Sequence, residues 1–391
     1  MIRIGILTFH RSINYGAFMQ AYSMSNFLSQ NSNFYVEIID FEPFKKNLIH
    51  KFLLIRKAGF NPKLLYFYFR QFCSFRSSLR KFLPVGKSRF RFSGMSKLTS
   101  YINQSFDIVI VGSDAVWAYN NFKMGVNNPF WLSDISSFKF SYAASAHSLS
   151  FNSVSDFDID YIKKALSSFF YIGVRDFQTE QFVYKVDDNL VVNRNCDPTF
   201  FLTLPPSSYF KRVISRFNIP LNKPVIGLMV ANNIVGDFIC ELFKDDYFIV
   251  SLYNFHSKAD LFLYDLNPLE WAISFSHFAF CVTDFFHGSL LSLRNLTPTF
   301  MFGGRINENL PGKHYQVFKD LDLTEYYFER ENINRIDKRD FKDFVNFTLN
   351  NLSPFRAKLE ESIRLESAKR ESFEISLTKA VYHLTDELGI K

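Results

Sequence analysis

No apolar run approaching the length of a membrane-spanning helix occurs in the 391 residues, so no spanning helix is expected. Cysteine is scarce. Cys73, Cys196, Cys240 and Cys281 are widely spaced, and no CxxC pair or Cys/His cluster accompanies them. That argues against a zinc site and a disulfide framework, and no metal is expected. It leaves reduced, mostly buried thiols in a cytoplasmic protein. The first nine residues are apolar but contain Arg3 and run straight into His10 and Arg11. They are too short for a signal-peptide core and lack a small-residue cleavage site, so no targeting signal is expected. Acidic side chains are missing altogether between Pro43 and Phe106. Internal repeats and low-complexity tracts are absent as well.

What is present suits a folded α/β chain. Hydrophobic residues make up 47% and charged residues 21%, which excludes intrinsic disorder. The length predicts two domains. The 49 phenylalanines read as compositional drift, with Phe standing in for Leu and Tyr. Buried-strand patterns recur at residues 2–9, 34–41, 106–111, 138–144, 171–174, 224–230, 247–253, 278–283 and 298–302. Helical patterns lie between them, as at 17–30, 156–168, 236–243 and 268–275. This alternation predicts two Rossmann-like α/β domains facing a cleft. The N-terminal domain is expected over 1–205, with a basic helical insertion at about 45–97. The C-terminal domain is expected over 206–350, and C-terminal helices over 351–391.

The basic segment holds fourteen Lys or Arg against +7 for the whole chain, so the remainder is net acidic. Three readings apply. A solvated helical face on the sheet is the plainest. Peripheral contact with an anionic membrane is the second, because basic and aromatic residues interleave here. Nucleic-acid binding is disfavoured, since no recognised motif accompanies the charge.

Several strand ends carry polar residues that suit a site. The loop His10-Arg11-Ser12-Ile13-Asn14-Tyr15-Gly16 opens a helix. It is either an anion-binding turn, with His10 and Arg11 adding charge, or an ordinary turn. Gly112-Ser113-Asp114 follows a strand, and Asp114 either accepts from a sugar hydroxyl or caps the next turn. Trp117 and Trp131 stack on a sugar or fill the core. Arg175 suits carboxylate or phosphate, or pairs with an internal acid. His287, between a strand end and Gly288, sits where a proton-transfer group belongs.

Taken in order, these pieces resemble the polysaccharide pyruvyl transferase family. The carrying residues are Gly5 to His10, Asn14-Tyr15-Gly16-Ala17, Gln20-Ala21-Tyr22, Asp107 with Gly112-Ser113-Asp114 and Trp117, Ser141 to Ser145, Gly173-Val174-Arg175-Asp176, Asp197-Pro198-Thr199, and Thr283-Asp284 with His287-Gly288. The resemblance implies a fold similar to GT-B glycosyltransferases, phosphoenolpyruvate as donor, a saccharide acceptor, and no cofactor. It implies His287 as general acid/base, with Asp114 or Asp284 supplying or orienting a second proton role, and Arg175 as a donor-binding cation. Some members carry Arg two residues before that His, where this chain has Phe285. Arg305, Lys313 or Arg11 are the expected substitutes. The acceptor is a lipid-linked, nucleotide-linked or finished-polymer saccharide, and the expected location is the cytoplasm or the inner face of the membrane. The competing expectations are a glycosyltransferase using a nucleotide sugar and a non-catalytic relative.

Overall fold

The computed structural model describes residues 1–42, 56, 58, 59, 61–91, 94–118, 128–146, 154–308 and 311–387. The chain divides into two compact units. The first is Met1–Leu53, Ser77–Phe201 and Ser367–Lys391, and the second is Leu54–Arg76 and Leu202–Glu366. The break near residue 202 lies close to the expected one. The basic segment, however, is shared between units, as are the C-terminal helices. Residues 45–55, 57, 60, 92 and 93 of that segment lie outside those described.

In the first unit, seven parallel strands stand in the order β3-β2-β1-β4-β5-β6-β7. They are β1 (Ile2–Leu7), β2 (Phe34–Phe41), β3 (Val85–Phe90), β4 (Ile108–Asp114), β5 (Phe138–Ala144), β6 (Tyr171–Val174) and β7 (Val192–Arg194). The central strands read as unbroken apolar runs, such as Ile108-Val109-Ile110-Val111, all fully buried. Both faces of a parallel sheet are covered by helices, which is why no alternation survives. Trp117 and Trp131 are buried in this core and stack on each other, with ring centroids 5.3 Å apart and planes 6° from parallel. They are packing residues, which excludes their use as a sugar platform. The last helix (Glu371–Glu387) sets Phe373 edge-on to Tyr142, at 4.8 Å.

In the second unit, six parallel strands repeat the same winding, β10-β9-β8-β11-β12-β13. They are β8 (Val225–Met229), β9 (Phe248–Leu252), β10 (Leu261–Leu263), β11 (Phe280–Thr283), β12 (Thr299–Gly303) and β13 (Tyr327–Glu329). The strand order of both sheets reverses between two neighbours: β1 and β4 in the first, β8 and β11 in the second. Ligands of doubly wound sheets bind at such a reversal, beyond the carboxyl ends of the strands. Among the described residues no helix is long and apolar enough to cross a membrane.

Candidate active site

At the reversal in the first unit, the loop after β1 meets the end of β4. Thr8 Oγ1 donates to the Ser113 carbonyl at 3.2 Å and ties the two together. Gly112 has φ +110°, and a Cβ there would lie 2.3 Å from the Tyr142 carbonyl oxygen, so the turn admits only glycine. Asp114, half-buried at φ 84°, accepts from the Ala115 amide at 2.8 Å.

The loop after β1 closes on itself. Asn14 caps the first helix (Tyr15–Ser29), accepting from the amides of Gly16 and Ala17 at 3.0 and 3.3 Å. Arg11 forms a two-pronged ion pair with Asp40, at the end of β2. His10 is fully buried, with Nδ1 donating to the Thr8 carbonyl at 3.2 Å and Nε2 lying 3.3 Å from the same Asp40. Burial pushes the Asp40 carboxyl up, but the hydrogen bonds from Arg11 and His10 outweigh it and hold it well below the usual carboxylate range. Tyr15 and Gly16 are buried in the helix. Of the two readings open to this turn, the structure shows the ordinary one. Asp40 takes the charge of Arg11, and Asn14 takes the amides. Asp40 was not singled out in the sequence, because it ends an apolar strand thirty residues from its partners.

Arg175, just beyond β6, is also held internally. Its Nη1 lies 3.4 Å from Asp197 Oδ2, and both side chains are buried. Gln20 donates to the same oxygen at 2.6 Å, while Thr199 donates to the other from its amide and its hydroxyl. Of the two uses open to Arg175, the structure shows the internal pair, with Asp197. Asp176 instead caps the following helix (Phe177–Val186) through the Thr179 amide and hydroxyl.

The second unit presents the more open chemistry. At its reversal, Asp284 follows β11 and accepts from the amides of Ala231 and Asn232, beyond β8, at 2.9 to 3.0 Å. Burial raises its pKa against the pull of those amides. His287 stands in the first turn of a nine-residue helix (Phe286–Arg294) whose N-terminus has no side-chain cap. Gly288 fits tightly there: a Cβ would lie 2.6 Å from Thr283 Oγ1 and 2.9 Å from Met229 Sδ, so both side chains would have to move.

Cations gather at this end of the sheet. Lys313 Nζ lies 5.2 Å from the centre of the Phe286 ring, and His314 sets its ring 5.7 Å from the same phenyl. Arg330, immediately after β13, brings Nη1 to 4.0 Å from Asp284. Arg305 follows β12 and is exposed. Of the substitutes expected for the arginine absent at Phe285, Lys313 is the one set against the residue beside His287, and Arg11 is committed to Asp40. His314 and Arg330 were missed in the sequence. Arg330 follows a three-residue edge strand too short to register as a pattern, and His314 lies in a helix of only eight residues (Lys313–Asp320). Phe285 packs its ring edge-on to Tyr253 at 5.4 Å. Among the described residues no group of three His, Cys, Asp or Glu stands ready to hold a metal ion.

The double α/β architecture is that of GT-B enzymes. It is similar to the Neisseria meningitidis UDP-GlcNAc 2-epimerase solved with UDP-GlcNAc, at 11% identity over 97% of this chain and 100% of that one, with a TM-score of 0.57. It is similar to Staphylococcus aureus MnaA solved with UDP, at 10% identity over 100% and 98%, with a TM-score of 0.55. It is also similar to the UDP-GlcNAc 2-epimerase of Methanocaldococcus jannaschii, at 10% identity over 94% and 93%, with a TM-score of 0.52. No curated protein matches the chain in sequence. The family model described as polysaccharide pyruvyl transferase matches residues 14–304. That span holds Asn14 to Gly16, Gly112 to Asp114, Arg175, Asp284, His287 and Gly288, and this chain belongs to the polysaccharide pyruvyl transferase family.

Proposed function

We propose that this chain moves the pyruvate unit of phosphoenolpyruvate onto a sugar as a ketal, in the synthesis of a bacterial surface or exopolysaccharide. The observation that carries the reading is the cluster in the second unit: His287 beside Phe286, with Lys313 and His314 against that ring and Arg330 against Asp284. Family membership supports the same reading. Phosphoenolpyruvate carries a phosphate and a carboxylate, so its site needs cations and a proton donor.

The reaction has two stages. A proton added to the methylene carbon makes the central carbon electrophilic, with oxocarbenium character. One sugar hydroxyl bonds to that carbon, the phosphate leaves with the C–O electron pair, and a second hydroxyl closes the ketal. Of the two hydroxyl protons, one replaces the proton given to carbon and the other leaves with phosphate. His287 serves as the acid/base, Lys313, Arg330 and Arg305 hold the donor, and Asp284 fixes the turn that carries His287. The acceptor is a saccharide borne on lipid or nucleotide, and the reaction takes place in the cytoplasm.

Thermal stabilisation by a ligand panel tests this. A ligand that binds only the folded state stabilises it by about 2.7 kcal/mol at a hundred times its Kd. Phosphoenolpyruvate should raise the melting temperature, and Lys313→Met should weaken the effect. Stabilisation by UDP-, GDP-, CMP- or dTDP-sugars with none by phosphoenolpyruvate would replace this reading with a nucleotide-sugar glycosyltransferase. Silence across the panel would point to a non-catalytic relative.

A further inference from the structure

The reaction leaves one sequence feature unused, the basic segment. Its helix, Pro62–Phe82, has two contrasting faces. On the inner face, Phe67 stacks on Tyr264 at 4.2 Å, Tyr68 accepts from the Phe255 amide at 3.3 Å, and Gln71 donates to the Tyr253 carbonyl at 3.2 Å. These contacts fix the helix along the β10 edge of the second unit's sheet. The outer face therefore has a set direction rather than a free choice.

That outer face is apolar at its centre. Leu65 is 45% exposed, Tyr66 52% and Phe69 60%. With about 100° of rotation per residue, these three share one side of the helix with Cys73, Arg76 and Arg80. Lys63, Arg70 and Lys81 flank them. No acidic residue occurs on this helix or anywhere from Pro43 to Phe106. Arg70 on this helix pairs with Asp265, at 2.6 Å. An apolar centre with long cationic side chains along one flank and Arg76 and Arg80 beyond it on the same side fits a bilayer interface, where the hydrocarbon groups enter the headgroup layer and the charges meet anionic lipid. Nucleic acid fits less well, because Leu65 offers no ring for a base to stack on.

We propose that the Leu65–Tyr66–Phe69 face of this helix docks on an anionic lipid bilayer. The proposal does not rest on the reaction assigned above and stands or falls separately.

The native chain carries its own attachment point for a probe. Cys73 is exposed on the docking face, whereas Cys196, Cys240 and Cys281 are buried. An environment-sensitive fluorophore on Cys73 should shift to the blue with phosphatidylcholine vesicles containing phosphatidylglycerol. It should shift far less with phosphatidylcholine alone, and high salt should weaken the response. In vesicle flotation, Leu65→Ser with Phe69→Ser should lower partitioning about tenfold, and so should Lys63→Gln with Arg80→Gln and Lys81→Gln. Both sets should keep the wild-type melting temperature. Three results would overturn the proposal: no probe shift with anionic vesicles, an equal shift with neutral vesicles, or a shift driven by a single-stranded oligonucleotide without lipid. If the variants fail to fold, the labelled unmutated chain still decides the question.

Discussion

Lys313 holds its ammonium 5.2 Å from the centre of the Phe286 ring, and the residue after Phe286 is His287. The ring thus sets a cation against the residue that precedes His287, the group proposed as acid/base. Lys313→Met should raise KM for phosphoenolpyruvate about tenfold and leave kcat within about threefold, because it removes donor binding and not proton transfer. His287→Ala should lower kcat by about 10² to 10⁴. Phosphate release measured against donor concentration separates the two. A His287→Ala turnover within about threefold of wild type would remove the acid/base assignment.

Arg175 and Asp197 form a buried pair, so truncating one partner strands the other. Arg175→Met should cost about 3–5 kcal/mol of unfolding free energy in urea titration. If stability were unchanged, Arg175 would be a ligand-facing cation after all.

The Asp40 cluster gives a signed pH dependence. Its folded pKa is depressed by Arg11 and His10. Its contribution is therefore complete above the unfolded value of about 4 and is lost as pH falls below that. Asp40→Asn should cost about 2–3 kcal/mol at pH 7. The gap between variant and wild type should narrow steadily as pH falls below about 4. Melting temperatures of the two proteins across pH 2–7 test this; a constant gap would contradict it.

Two glycines should answer differently to alanine. Gly112→Ala meets both a positive φ and a backbone oxygen, so a loss of about 2–4 kcal/mol is expected. Gly288→Ala meets the side-chain atoms of Thr283 and Met229, which can shift. Stability should fall by about 1–3 kcal/mol, and activity should fall further because His287 is the neighbouring residue. Denaturation and phosphate release on the same preparations distinguish them.

The central strands were legible because each is buried on both faces, and only continuous apolar runs such as Ile108 to Val111 survive there. The strands that went unseen, β3, β7, β10 and β13, all lie at sheet edges. Val85-Gly86-Lys87-Ser88-Arg89-Phe90 is half solvated and carries charge against Glu42, so its pattern resembles a loop. The same asymmetry runs through the site. His287, Asp284 and Gly112 sit at ends of visible strands and were found. Arg330 follows an invisible one and was not. Residue type alone also could not tell a cation facing ligand from one already answered by an acid, as Arg11 is by Asp40 and Arg175 by Asp197. Those acids lie 29 and 22 residues away in sequence.

The three tryptophans are fully enclosed, Trp117 and Trp131 in the first unit and Trp271 in the second. Their emission is therefore insensitive to a substrate arriving at the surface and responds when the surrounding core opens. A chain with Trp271→Phe glows only from the first unit, and one with Trp117→Phe and Trp131→Phe only from the second. Heated side by side, the two reveal whether the halves melt as one cooperative body or one after the other.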